Sequence, residues 1–260
     1  RGARTTLHCS LSPAVANESG LYYDRCRPVT PSVPARDPVL AARVLRMATS
    51  AAFAGGTKKV SLAEALARLG AKAVRTLLVE ATAQKVFVSR DPKITESMKR
   101  VWQHSVAVAT LARDVLALGG SNDSEAAYLA GLLHDVGKPV VASLLLEFER
   151  QVTEVYNRPF IDSAEWVNVI GRTHRKVGVA LAEKWQMPEQ VTRCIRDSAE
   201  YDNADRASLV NIVAFSNSLA KKAGIHAGTI DADEVDALVM IGRSLIGAND
   251  EIVKKLTRGL

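Results

Sequence analysis

The residues best suited to chemistry lie in one short run, Gly131-Leu132-Leu133-His134-Asp135-Val136-Gly137-Lys138-Pro139. It sets an imidazole beside a carboxylate, with a lysine one helical turn after the histidine. His104 and His174 flank the run at a distance. Imidazoles and carboxylates together hold zinc, iron or manganese. A metal so held lowers the pKa of a bound water and polarises a phosphoryl oxygen. His104, His134, Asp135 and His174 are therefore candidate ligands for a divalent metal. Lys138 is the candidate catalytic contact to phosphate if the chain is an enzyme. A lone histidine near an apolar face is more often a hydrogen-bonded core residue, and a His-Asp pair can simply fix helix packing. Spacing alone leaves both readings open.

The elements that must position these residues read as helices throughout. Asp37-Pro38 opens the first, with Asp as N-cap and Pro in the first turn. Ser61-x-x-Glu64 is a capping box for a second, which Gly70 stops. A third follows through Val74, Leu77, Leu78 and Ala81. A long helix from about Ile94 to Leu118 carries His104, and Gly119-Gly120 closes it. The next helix carries Leu129, Leu132 and Leu133 to the His-Asp pair, where Gly137 and Pro139 should interrupt regular helix. A helix end near His134 leaves carbonyls unpaired and room for polar groups to converge. Val140–Phe148 resumes as helix. Asp162-x-x-Glu165 caps the helix that bears His174, and Pro188 opens a shorter one ending near Ile195. Leu209–Ala220, Asp231–Ile246 and Glu251–Leu256 complete the series. No segment reads as a strand and no internal repeat is visible.

Residues 1–35 differ from the rest. Four prolines and two cysteines, with no helical period, mark them as a loop-rich arm. Residues 36–260 then form one all-α domain, a multi-helix bundle. Alanine and leucine are abundant and aromatics make up only 5% of the chain, a balance that favours helices. The 34 basic and 28 acidic residues give a net charge of +6, enough for weak attraction to nucleic acid but also for solubility. Cys9, Cys26 and Cys194 form no CxxC pair, so neither a disulfide framework nor a zinc ribbon is expected. No stretch of about 18 apolar residues and no secretory leader stands out, so a cytoplasmic protein is expected. The hairpin from Ser61 to Glu80 has the outline of a helix-turn-helix. Its second helix lacks groups suited to base edges, so an ordinary αα-hairpin is expected and DNA binding is the weakest reading.

Several segments in order resemble the HDOD domain, the HD-related output domain of bacterial signalling proteins. They are Asp-Pro-Val-Leu-Ala-Ala-Arg-Val-Leu-Arg-Met-Ala from Asp37, Ser50-Ala51-Ala52-Phe53, Leu66-Ala67-Arg68-Leu69-Gly70, Trp102-Gln103-His104-Ser105, Gly131–Lys138, and Ala182-Glu183-Lys184-Trp185 with Pro188. The similar region runs from about residue 37 to 220. The resemblance implies an all-α fold of HD/HDOD type and descent shared with HD metal-dependent phosphohydrolases. It places His104, His134 and Asp135 at the first ligand positions of that superfamily. The final HD aspartate falls at Asn217, a neutral amide that leaves such a site one negative charge short. Arg196-Asp197-Ser198 stands where some relatives carry paired histidines, and the Gly-Tyr-Pro motif of cyclic-di-GMP-cleaving relatives is absent. Relatives also carry further helical sequence between the Pro-rich start and the Asp-Pro helix, whereas Ala35 here runs directly into Arg36.

The expectation is a bacterial signal-transduction module without catalytic activity, binding a partner protein or small nucleotide ligand. The alternative is a metal-dependent phosphohydrolase acting on a nucleotide or cyclic dinucleotide, with Fe, Mn or Zn as cofactor.

Overall fold

A computed structural model of the chain describes residues 22–24, 27–29, 62–89, 91–119, 124–156 and 163–258. The helix expected from Asp37 and the boundary expected at residue 35 lie outside them. The chain divides into two compact units, Arg1–Thr82 and Ala83–Leu260.

In the first unit two short strands, β1 (Tyr22–Asp24) and β2 (Arg27–Val29), pair antiparallel with Tyr22 opposite Val29. This hairpin falls in the arm read from sequence as loop, where three-residue strands are too short to show alternation. Helix α1 (Leu62–Val86) runs through the second and third helices expected from sequence. Gly70 marks the join with φ 75° and ψ 162°, a conformation that side chains rarely adopt. Ala65, Leu69 and Leu77 form a small buried cluster along α1, with Leu66, Ala73 and Val74 against it.

Among the described residues of the second unit, every regular element is a helix. Beyond the last turn of α1, these are α2 (Pro92–Leu118), α3 (Ser124–Leu133), α4 (Gly137–Tyr156), α5 (Ser163–Lys184), α6 (Glu189–Asp197), α7 (Leu209–Lys222), α8 (Ala232–Ile246) and α9 (Asp250–Thr257). Asp91 caps α2 by accepting the Lys93 N–H, and Pro92 occupies the first turn. Asp231 and Asn249 cap α8 and α9 in the same way. Helix α2 is central and packs on α3 and α7, while α4 packs on α5 and α5 on α6. Helix α7 is buried nearly all round, including Val210, Val213, Phe215 and Leu219, as a core helix should be.

The helix end expected near His134 falls there, at the turn His134–Val136, but Gly137 and Pro139 do not interrupt helix. Gly137 instead begins α4, and Pro139 sits in its first turn, where a missing N–H has no partner to lose. This turn also divides a long apolar run, Ser124–Glu154, the one such run among the described residues, whose mean hydropathy reaches 1.4. By composition that run is long enough to cross a membrane, contrary to the expectation from sequence. However, 61% of its most apolar window is buried within the protein.

Candidate metal centre

Close backbone contacts assemble the site. A Cβ on Gly131 would lie 2.7 Å from Ala109 Cα and 2.9 Å from Val108 O, so α3 and α2 touch main chain to main chain. One turn later, His134 comes edge-on to His104, with ring centroids 5.3 Å apart. A Cβ on Gly137 would lie 1.8 Å from His174 O. Only glycine lets the turn after Asp135 rest directly on α5, and that contact brings His174 to the cluster.

The imidazoles converge on Asp135. Its Oδ2 lies 3.3 Å from His134 Nε2 and 4.0 Å from His104 Nε2, and its Oδ1 lies 3.5 Å from His174 Nε2. All four residues are buried. Each histidine is held from behind through Nδ1. His104 donates to Ile225 O at 2.7 Å, His134 to Gly131 O at 2.7 Å, and His174 to Ile170 O and Gly171 O at 2.9 Å. A carbonyl can only accept, so Nδ1 carries the proton, and in the neutral ring Nε2 presents a lone pair inward. Metal-binding histidines are oriented in this way.

The donor set fits a metal ion. Ligand atoms of His104, His134 and Asp135 all lie within 4.8 Å of one another. Nitrogen and oxygen ligands bind zinc at about 2.0–2.2 Å, which sets neighbouring ligand atoms roughly 3–3.5 Å apart; His134 and Asp135 match that spacing at 3.3 Å, and His104, 4.0 Å from Asp135, would have to draw inward. His134 Nε2 is buried without a hydrogen-bond partner, a costly omission for a structural network. His174 faces the second carboxylate oxygen, outside the compact trio.

Charge in the site is lopsided. Lys138 Nζ donates to Asp135 Oδ2 at 2.5 Å. Burial works to raise the Asp135 pKa, but His134 and Lys138, joined by His174, hold it well below the usual carboxylate range. Burial, reinforced by His134, lowers the His104 pKa to about 4, so this ring is neutral near pH 7. Two further cations feel Asp135, and burial lowers the pKa of both. They are Lys221, which Lys138 depresses further, and Arg175, which donates to Ile195 O. Neither stands out in the sequence, because a lone basic side chain on a helix carries no sign of what it will face. The Ile225 carbonyl could not have been foreseen either, since a backbone acceptor leaves no signature in residue type. Asn217 lies one turn before Lys221 on α7, and its Oδ1 is buried with no partner. Behind His104, Ile225 also forms one wall of an open groove of about 740 Å³, lined further by Arg100, Trp102, Gln103, Thr110 and His226.

The HDOD domain family matches residues 32–201. The chain belongs to the HDOD family. The match takes in the His-Asp turn, His104 and His174, and it ends before α7, so Asn217 lies beyond it. A protein of Treponema pallidum (strain Nichols) is 27% identical over 186 residues. That alignment takes in 70% of this HDOD chain but only 36% of the relative's length. Among solved structures, a candidate metal-dependent phosphohydrolase from Shewanella amazonensis SB2B has a TM-score of 0.64 at 16% identity, covering 86% of this chain and 81% of that one. An HDOD domain protein from Geobacter sulfurreducens has a TM-score of 0.61 at 21% identity, covering 98% and 85%. A candidate signal transduction protein from Marinobacter aquaeolei VT8 has a TM-score of 0.50 at 23% identity, covering 99% and 58%. At these identities the likeness shows the fold, and the all-α HD/HDOD architecture expected from sequence is the one observed.

Proposed function

We propose that this HDOD chain is a regulatory module of a bacterial, cytoplasmic signalling protein. It binds a partner protein or a small nucleotide ligand and does not turn over substrate. The observation that carries this reading is the charge of the buried cluster. Among the described residues it holds one carboxylate, Asp135, whose charge Lys138 already balances. With Lys138 already paired to that carboxylate, a dication there would meet a second positive charge on its one anionic ligand. Asn217, at the place the family resemblance gives to a second acid, offers only a neutral oxygen. The name of the Marinobacter neighbour agrees with a signalling role. The groove walled by Ile225 offers a small ligand a recess whose rim is bonded to His104.

The test is a turnover screen of purified protein against nucleotides, cyclic dinucleotides and phosphodiesters, with Mn²⁺, Fe²⁺ or Zn²⁺ supplied. No hydrolysis above background is expected. Metal-dependent hydrolysis that disappears in Asp135→Ala would overturn the reading.

A second reading has its own support in the orphaned Nε2 of His134 and the inward lone pairs around it. In it, His104, His134 and Asp135, with His174 beside them, hold Fe, Mn or Zn, and Lys138 contacts a substrate phosphate. The metal would supply an activated water. The chain would then be an HD-type phosphohydrolase, as the Shewanella neighbour is named.

A further inference from the structure

Lys138 reaches the same carboxylate oxygen that the imidazoles face. Its Nζ is 2.5 Å from Asp135 Oδ2, the oxygen that lies 3.3 Å from His134 Nε2 and 4.0 Å from His104 Nε2. The other oxygen, Oδ1, faces His174. An ion held between the two imidazoles and the lysine ammonium would therefore draw on one atom. Two cations sharing one buried oxygen repel strongly, because little water screens them.

The local backbone makes the lysine contact a built feature. Lys138 N donates to Asp135 O at 2.9 Å, which winds the start of α4 so that the side chain folds back over the turn. The two partners differ in access. The Lys138 side chain is 27% exposed and that of Asp135 is 4%. The ammonium can leave toward solvent on its flexible stem, whereas the carboxylate is fixed in the core.

We infer that Lys138 is the resident cation of this cluster: its ammonium occupies the carboxylate in place of a metal, and a divalent ion enters only by displacing it. The ion class is set by two imidazoles and one carboxylate, which suit zinc, manganese or iron. The inference rests on the reading of the cluster as a metal-centre fold that has lost its charge balance, and it names what controls occupancy there.

The experiment is calorimetric titration of Zn²⁺ into the full chain near neutral pH, comparing wild type with Lys138→Gln, Lys138→Met and Lys138→Arg. The neutral variants should bind one ion at least about tenfold tighter than wild type, and Lys138→Arg should resemble wild type. Adding His134→Gln to Lys138→Gln should abolish the gain. No gain in either folded neutral variant overturns the inference, as does a gain that survives His134→Gln. Circular dichroism establishes which variants are folded. Should the neutral variants fail to fold, wild-type protein decides. Acetylation of Lys138, followed by mass spectrometry, should rise several-fold under saturating Zn²⁺. Unchanged labelling overturns the inference. These readouts report occupancy and not turnover. A hydrolytic protein whose affinity still rises on loss of Lys138 would overturn the regulatory reading and leave this one standing.

Discussion

Two of the buried polar groups in the second unit are finished differently. At the head of α7, Asn211 is fully enclosed and its side chain is satisfied. Its Nδ2 donates to the carbonyls of Asp202, Asp205 and Arg206, and its Oδ1 accepts the Asp202 N–H at 2.7 Å. Around Asp135, three imidazoles are held from behind while their inner nitrogens face a single carboxylate, and His134 Nε2 has no partner. The first group closes a loop onto a helix. The second keeps donor atoms available in a place where burial penalises idle ones.

The sharpest way to break the contrast is Gly137→Ala. The new Cβ would meet His174 O at 1.8 Å, backbone against side chain, with no flexible neighbour to yield. A loss of about 3 kcal/mol or more is expected in chemical denaturation, with the cluster displaced and the Asn211 loop intact.

Acid separates the two groups next. His104 has its pKa lowered from 6.5 to about 4 by burial. The unfolded chain therefore takes up a proton in a window where the folded one does not. Stability is fully present above pH 6.5 and falls as pH drops toward 4, by about 3 kcal/mol. The depressed pKa of Asp135 extends the loss in the same direction at lower pH. Thermal melts of metal-free protein across this range check the prediction. The slope between pH 6.5 and 4 should flatten in His104→Gln, and Asn211→Ala should leave it unchanged.

Asn211→Ala should cost about 2–3 kcal/mol, because it leaves carbonyls and an N–H unpaired. His134→Gln should cost only about 1 kcal/mol, since one bond to Gly131 O is lost and the volume is largely kept. Equilibrium denaturation of the two variants gives the ratio. A larger loss for His134→Gln than for Asn211→Ala would make the His-Asp cluster structural after all.

The contrast bears on what was legible beforehand. The helix carrying His104 was readable from its apolar period and from Gly119-Gly120 at its end, because stop signals and periodicity are local properties. The His-Asp turn was readable because its residues are adjacent in sequence. The placement of Gly131 against Ala109 was not, since a glycine chosen for a helix contact looks like any other until its neighbour is known. The helix end near His134 was readable, but not that Gly137 and Pro139 belong to the next helix, because Pro139 disrupts a helix interior and not a first turn. Asn211 drew no attention at all, although it has the better-satisfied side chain.

By itself the sequence determined the all-α class, most helix boundaries in the second unit and the candidate donors His104, His134, Asp135 and His174. Those follow from propensity, capping and residue chemistry within a few turns of chain. Tertiary structure alone decided that the donors meet, that Ile225 and Gly131 fix which nitrogen points inward, and that Lys138 shares an oxygen with the imidazoles. Those depend on distances between helices far apart in sequence, where a single glycine contact sets the outcome and leaves no periodic trace.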